Sequence, residues 1–332
     1  MNNVTNILIL QGGPKKDVLR STCLLEPLKQ KFGNSKITWV TRHANSVLLH
    51  RNSLVNSVLS IEDGGTTAAL LNRGFQRLYS LDLDNGIGDL ANLIRSPEKF
   101  GLFIDNNGSP YVFNPEARAL LDYQNNNLPS KFNFRRTVMK SAGLKGTEPG
   151  EMILNISESG LEYAQKFLTD NSLRTGDKPL IIVYLGTGLN RPPVYPDSKS
   201  ISFITEELTE KLDAEIILTG GPREKPFYDK FFNACPPRVI SGGCEAGLFE
   251  FLGLISKCDL FIGMDSLALH AALALEKKVI ALQNPRTTED LELCCRGLEV
   301  ASQSIGTSPE GRESVSYNHK QVIKAAAELL KL

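Results

Sequence analysis

The segment around Asp265 contains residue types that suit the binding of an anion. An apolar run at 259–263 predicts a buried strand, and the Ala-rich stretch 266–275 predicts a helix directly after it. The free N–H groups of a helix start, the positive end of its dipole and capping oxygens such as that of Ser266 together favour a diphosphate. His270 lies one turn further on the same helical face. The alternative is that Asp265 only caps a structural helix and that His270 packs against the sheet.

A glycine-rich loop at 11–14 follows the first apolar run of the chain and precedes Asp17. In open parallel sheets, ligands bind beside the loops that leave the carboxyl ends of the strands, so the polar groups of this loop are candidate ligand contacts. On local grounds alone, Asp17 would cap a helix that starts at Val18. Three cations near the loop suit an anionic small molecule, or are ordinary solvated surface groups: Lys15, Lys16 and Arg20.

Two loops in the second half of the chain combine small residues with a charged one. Thr187 and Gly188 follow a buried strand, where small residues let backbone N–H groups reach phosphate oxygens, and Arg191 could pair with phosphate through its planar fork. In the other loop, Glu224 could accept both hydroxyls of a ribose and follows Thr219, Gly220 and Gly221. The alternatives are that Arg191 is an ordinary exposed arginine and that Glu224 complements a helix dipole.

The sequence lacks the usual motifs for metals and bound cofactors. Asp82 and Asp84 form an acidic pair of the kind that holds Mg²⁺ in some nucleotide-sugar enzymes, but the Asn-Gly that follows indicates a strand end entering a turn. No His, Cys or Asp cluster has metal-ligand spacing, and neither a Walker loop nor a GxGxxG fingerprint occurs. The six cysteines lack CxxC spacing and are typical of reduced, mostly buried thiols: Cys23, Cys235, Cys244, Cys258, Cys294 and Cys295.

Composition indicates an ordinary globular protein. The 332 residues suffice for two domains, and 41% of them are hydrophobic and 22% charged. Lys+Arg and Asp+Glu number 37 each, so the absence of net charge argues against nucleic acid as a partner. No run approaches the roughly 18 apolar residues of a membrane-spanning helix, and the N-terminus lacks the pattern of a signal peptide. We therefore expect a cytoplasmic protein.

Strand and helix patterns alternate along both halves of the chain. Such alternation predicts parallel sheets covered on both faces, so we expect an α/β fold of two Rossmann-like, doubly wound domains that face a cleft. The domains are predicted at 1–170 and 171–312, and 313–332 would form a helix that packs back on the first. Strands are predicted at 6–10, 37–40, 55–61, 77–83, 100–103, 180–185, 215–219, 238–240, 259–263 and 278–282. Helices are predicted at 18–32, 43–51, 66–74, 88–95, 132–142, 158–170, 198–212, 223–233, 248–256, 266–275 and 320–330.

The order of these motifs resembles glycosyltransferase family 9, the ADP-heptose:lipopolysaccharide heptosyltransferases. The resemblance extends from Ile7 to about Pro285. Lys16 and Leu267 stand where the family has glycine. The motifs that carry the resemblance are Gly12-Gly13, Asp17, Leu28-Lys29, Ile37-Thr38-Trp39, Tyr195-Pro196, Gly220-Gly221-Pro222 with Glu224, and Asp265-Ser266 with His270.

The resemblance implies a glycosyltransferase of the B-type architecture that inverts the anomeric centre, needs no metal and uses no cofactor besides its donor. Asp17 would be the general base that takes the proton of the acceptor hydroxyl. The acceptor would be a sugar or a glycolipid of lipopolysaccharide biosynthesis, which would bring the protein into peripheral contact with the inner face of the membrane. The second domain would bind a nucleotide-diphosphate sugar, by resemblance ADP-heptose, through Thr187, Gly188, Arg191, Thr219, Gly220, Gly221, Glu224, Asp265, Ser266 and His270.

Two other functions fit the same sequence. A nucleotide-sugar epimerase of similar architecture would act on the donor without an acceptor. A degenerate relative would bind a ligand or a partner without turnover. Lys16 and Leu267 suggest this second alternative, because a side chain at a glycine position can keep the backbone from approaching a phosphate.

Overall fold

The chain folds into two compact units. The structure, a computed structural model, describes residues 4–125, 127, 132–187, 194–285, 290–293, 295–307 and 312–332. Unit 1 comprises Met1–Asn155 with Thr288–Leu291, and unit 2 comprises Ile156–Thr287 with Glu292–Leu332. The sequence placed the boundary after residue 170, whereas the structure assigns the helix that precedes this point to unit 2.

Unit 1 is built around a six-stranded sheet in the order β3-β2-β1-β4-β5-β6, parallel except for the edge strand β6. Its strands are β1 (Thr5–Leu10), β2 (Ser35–Thr41), β3 (Ser57–Ser60), β4 (Arg77–Ser80), β5 (Glu98–Ile104) and β6 (Pro110–Val112). Its helices are α1 (Lys15–Ser21), α2 (Leu25–Phe32), α3 (His43–Ser46), α4 (Thr66–Leu71), α5 (Ile87–Leu93), α6 (Arg118–Gln124) and α7 (Phe134–Ser141). The run Ile7 to Leu10 is fully buried, as expected for a parallel strand with both faces covered.

The helix predicted over 18–32 is divided into two helices in the structure. Helix α1 ends at Ser21, a short 3-10 turn spans Thr22–Leu24, and α2 begins at Leu25. The break has a local cause, because the ring of Pro27 clashes with a helical carbonyl four residues earlier, at Cys23. That carbonyl instead accepts a hydrogen bond from the backbone N–H of Gly150 at 2.9 Å.

Unit 2 contains a parallel sheet in the order β10-β9-β7-β11-β12-β13 and a smaller sheet in the order β14-β15-β8. Its strands are β7 (Leu180–Tyr184), β8 (Tyr195–Pro196), β9 (Glu215–Thr219), β10 (Ile240–Gly243), β11 (Leu260–Gly263), β12 (Lys278–Leu282), β13 (Gly297–Val300), β14 (Ser302–Thr307) and β15 (Glu313–Tyr317). Its helices are α8 (Glu158–Asp170), α9 (Ser198–Lys211), α10 (Lys225–Ala234), α11 (Leu248–Ile255), α12 (Leu267–Ala274) and α13 (His319–Leu330). None of the helices in the described part of the chain is long and apolar enough to cross a membrane.

The helices of unit 2 cover both faces of the main sheet. Helix α9 packs against α10 and α13, and α11 packs against α8 and α12. The terminal helix α13, expected on the first domain, therefore belongs to the core of unit 2, where Val322 is fully buried. Helices α8 and α11 cross at two glycines: a Cβ atom at Gly253 would lie 2.0 Å from the carbonyl oxygen of Gly160.

Each main sheet has one position where the direction of winding reverses. In unit 1 this switch point lies between β1 and β4, and in unit 2 it lies between β7 and β11. Loops that leave the carboxyl ends of two such strands diverge and form the usual ligand crevice of a doubly wound fold. The two Rossmann-like units thus confirm the predicted fold class and direct attention to the loops after these four strands.

Candidate functional site

The glycine loop after β1 is clamped by side chains of unit 1. The N–H of Gly13 donates to Oδ2 of Asp82 at 2.9 Å, and Nδ2 of Asn45 donates to the carbonyl oxygen of Gly13 at 2.9 Å. Because Asp82 follows β4, the first of these bonds crosses the switch point of unit 1. A Cβ atom at Gly13 would lie 3.2 Å from the same carboxylate oxygen, so the small residue permits the close approach.

In the acidic pair Asp82 and Asp84, the carboxylate of Asp82 bonds to the backbone. The second oxygen of Asp82, Oδ1, accepts the N–H of Asp84 at 3.1 Å. Burial raises the pKa of the Asp82 carboxyl to about 7, against the opposing effect of the bond from Gly13. Among the described residues, no group of three or more His, Cys, Asp or Glu side chains is arranged to hold a metal ion.

Asp17 lies in the first turn of α1 and is 5% exposed. Its Oδ1 accepts the phenolic O–H of Tyr123 at 2.9 Å, and Nη1 of Arg20 lies 3.6 Å from the same oxygen. The alternative, that Asp17 only caps a helix starting at Val18, is wrong, because the helix begins at Lys15 after Pro14. The carboxylate therefore takes part in tertiary contacts rather than in a local cap.

The predicted cationic cluster near Asp17 is only partly a surface. Lys15 and Lys16 are half-buried at the start of α1. Arg20 is 1% exposed, and its guanidinium lies over the ring of Phe134, 4.1 Å from the ring centre. Arg20, one of the three cations predicted to suit an anionic small molecule, is therefore enclosed by the core of unit 1, and its contact with an acceptor stays a prediction.

Strand register brings the predicted donor-binding loops of unit 2 to one edge of the sheet. Tyr184 at the end of β7 pairs with Thr219 of β9 on one side and with Gly263 of β11 on the other. Adjacent strands lie about 4.8 Å apart, so the three loops that follow begin within roughly 10 Å of one another. Thr187, in the first of these loops, is buried. The predicted contacts Gly188 and Arg191 lie outside the described residues.

The loop after β9 is folded around the side chain of Glu224. The N–H of Gly221 donates to Oε2 of Glu224 at 2.8 Å, and a Cβ atom at Gly220 would lie 2.9 Å from Cβ of Glu224. Glu224 is 4% exposed, and this burial raises the pKa of its carboxyl. The Thr219 hydroxyl donates to the carbonyl oxygen of Gly243 at 2.9 Å and so holds β10 beside the loop.

The turn between β11 and α12, the Asp265 elbow, contains two polar residues, and these have different roles. Ser266 is the N-cap of α12, and its hydroxyl oxygen accepts the N–H of Leu269 at 3.3 Å. Asp265 does not cap the helix. Its Oδ1 lies 3.1 Å from Nε2 of His270, and both side chains are buried. The first turn of α12 thus stands at the switch point of unit 2 with an oriented carboxylate–imidazole pair beside it, an arrangement suited to an anion and to sugar hydroxyls.

Sequence reasoning missed the two polar side chains that organise the unit 1 site, Tyr123 and Asn45. Tyr123 is 106 positions from its partner Asp17, and Asn45 is 32 positions from Gly13. Neither separation corresponds to a turn of helix or a pair of strand neighbours, so no local spacing could have indicated these contacts.

Comparisons with known proteins agree with this architecture. Glycosyl transferase family 9 from Veillonella parvula DSM 2008 superposes with a TM-score of 0.73 at 17% identity, over 98% of this chain and 97% of the other. For the ADP-heptose LPS heptosyltransferase II of E. coli, the TM-score is 0.70 at 17% identity, over 98% of both chains. For the UDP-GlcNAc 2-epimerase of Methanocaldococcus jannaschii, it is 0.51 at 15% identity, over 99% of this chain and 93% of the other. At these identities the likeness shows a common fold.

The family-level comparison concerns unit 2. A comparison with curated protein sequences finds no match. Residues 156–320 match the model of glycosyltransferase family 9 (heptosyltransferase), and the match starts at the residue where unit 2 begins. It includes the Glu224 loop, the Asp265 elbow and their supporting strands. Over these residues, just under half of the chain, the protein is similar to glycosyltransferase family 9.

Proposed function

We propose that the protein transfers a sugar from a nucleotide-diphosphate sugar to an acceptor hydroxyl and inverts the anomeric centre. By likeness to the family, the donor is ADP-heptose. The observation that carries the proposal is the coincidence of two features in unit 2. The family match covers 156–320, and the same region places the Glu224 loop and the Asp265–His270 pair at the carboxyl edge of one sheet.

Unit 2 supplies the groups for the donor. The N–H groups in the first turn of α12 stabilise the diphosphate, which gains negative charge as it leaves. Asp265, held by His270, accepts hydroxyl groups of the sugar, and Glu224 accepts those of the ribose. Leu267 in this turn is half-buried, and its backbone amide follows the Ser266 cap.

Unit 1 supplies the base. The acceptor oxygen attacks the anomeric carbon from the side opposite the diphosphate, so a new C–O bond forms as the bond to the diphosphate oxygen breaks. The acceptor proton passes to the carboxylate of Asp17, and the nucleoside diphosphate departs with the bonding electrons. Lys15 and Lys16, half-buried beside Asp17, contact the acceptor. We further propose a cytoplasmic site of action, a glycolipid acceptor at the inner membrane face and no nucleic-acid partner.

A donor screen followed by product analysis tests the proposal. Calorimetry across ADP-, UDP-, GDP- and CDP-linked sugars should reveal a preferred nucleotide, with ADP-heptose expected to bind best. Turnover is then measured with lipopolysaccharide-core fragments as acceptors, and NMR gives the anomeric configuration of the product. An altered nucleotide sugar formed without acceptor would identify an epimerase. Tight donor binding without any product would identify a non-catalytic relative.

Replacement of the proposed base separates catalysis from binding. Asp17→Asn should reduce turnover by about 10²–10⁴, the usual contribution of a general base. Donor affinity should stay within about twofold of wild type, because the donor groups belong to unit 2. Asp89→Asn is the matched control, since Asp89 is an exposed carboxylate on α5 of the same unit. Near-normal turnover of folded Asp17→Asn protein would rule out the base assignment.

A further inference from the structure

The carboxylate of Asp17 is held by an aromatic cluster from a distant part of unit 1. Tyr123 on α6 donates its phenolic O–H to Oδ1 of Asp17 at 2.9 Å. The ring of Tyr123 is stacked on Phe132 with 4.9 Å between centres and 7° between planes, and it meets the edge of Phe134 at 5.2 Å. These ring contacts fix the direction of the hydroxyl before any ligand binds.

The same cluster places a cation beside the carboxylate. Arg20 lies 3.6 Å from Oδ1 of Asp17, while its guanidinium covers the face of Phe134 at 4.1 Å from the ring centre. Phe134 therefore contacts both groups that hold Asp17. Burial alone would favour the protonated carboxyl, whereas a hydrogen-bond donor and a positive charge favour the ionised form that a base requires.

Two other charged groups on the helices packed against α1 have partners of their own. On α7, Nη2 of Arg135 donates to the carbonyl oxygen of Gly150 at 2.7 Å. On α3, His43 pairs with Asp63 at 2.9 Å at the surface. Lys16 precedes Asp17 on α1 and is half-buried. Tyr123 and Arg20, by contrast, contact the carboxylate itself.

We propose that Tyr123 is the positioning residue of the general base, holding one oxygen of Asp17 and keeping the carboxylate ionised and oriented towards the acceptor hydroxyl. This inference rests on the proposed function, because it assigns a task only if Asp17 accepts the proton. Tyr123 contributes through Asp17. It therefore acts on the proton-transfer step, whereas donor binding belongs to unit 2.

Tyr123→Phe removes the hydroxyl and retains the ring stack. We expect kcat/KM at pH 7 to fall about tenfold, the usual effect of one bond to a charged group, with donor KM within about twofold of wild type. The acid limb of the pH profile should move about one to two pH units upward, because the ionised base loses a donor. Tyr111→Phe is the control: Tyr111 lies in the same unit and is 39% exposed.

A second variant guards against an effect of the substitution on folding. A fluorinated tyrosine at position 123 keeps the size and the ring contacts, but its more acidic phenol donates more strongly. The acid limb should then move to lower pH, opposite to Tyr123→Phe. Opposite shifts of the two variants support the inference, because a loss of packing would not change sign with phenol acidity.

Three outcomes are informative, and they separate the two proposals. If Asp17→Asn loses turnover as expected but Tyr123→Phe keeps the wild-type pH profile and kcat/KM, only the role of Tyr123 is overturned. Active Asp17→Asn would overturn the base assignment and with it this inference. Inactive Asp17→Asn with a shifted acid limb in Tyr123→Phe supports both.

Discussion

Asp82 offers a quantitative test of how the unit 1 site is held together. Its carboxyl is 3% exposed, bonded to the N–H groups of Gly13 and Asp84, and its pKa is raised by burial to about 7 from the reference value of 3.8. A carboxyl whose pKa is raised on folding favours the folded state at low pH. That stability is complete below about pH 3.8 and is lost as the pH rises to about 7.

The size of the effect follows from the two pKa values. One pKa unit corresponds to about 1.4 kcal/mol, so the full loss is about 4 kcal/mol, of which roughly 2–3 kcal/mol falls between pH 5 and pH 8. Asp82→Asn cannot ionise and lacks this pH dependence. Between those pH values, the unfolding free energy of the wild type should therefore fall by roughly 2–3 kcal/mol more than that of the variant.

The assay uses the single tryptophan of the chain. Trp39 is fully buried in β2 of unit 1, so its fluorescence during urea unfolding reports on the unit that contains Asp82. The comparison uses the slope of the unfolding free energy against pH, so the pH-independent effect of replacing a carboxylate with an amide cancels. Exposed Asp89→Asn should follow the wild-type pH dependence. Parallel pH dependences of wild type and Asp82→Asn would show that the two backbone bonds outweigh burial and would refute the reasoning.

Three further outcomes are expected. Gly253→Ala should lower the free energy of unfolding by about 1–3 kcal/mol, because its Cβ would meet the Gly160 carbonyl oxygen of α8. This cost should exceed the helix-favouring effect of alanine. Gly306→Ala is the control: its nearest neighbour lies at 3.7 Å, so its melting temperature should change little. Asp265→Asn can still accept a bond from His270, so it should weaken donor binding about tenfold in calorimetry with little change in melting temperature. A lower melting temperature with unchanged donor affinity would make Asp265 structural. EDTA should leave turnover intact, whereas activity restored only by Mg²⁺ or Mn²⁺ would contradict the metal-independent mechanism.

Local sequence patterns predicted those elements whose environment is uniform along their length. The bounds of β9, β12 and α8 agree with the prediction, because four of the five residues of each strand are buried in a mainly apolar run and α8 has its own N-cap at Ser157. The β14–β15 hairpin and α6 were missed. Strand β14 is mostly exposed and lacks an apolar face, and α6 lies in a polar, Asn-rich stretch.

The sequence by itself determined the parallel α/β organisation and the loops in which a site could lie, since both follow from periodicity and from the residue types at strand ends. Only the tertiary structure decided what each polar side chain does there. It assigned the cap to Ser266 and the imidazole partner to Asp265, and it enclosed Arg20 in the core. It also brought Tyr123 to Asp17 across 106 positions. Such partners are set by packing between distant segments, so the spacing of residues along the chain cannot predict them.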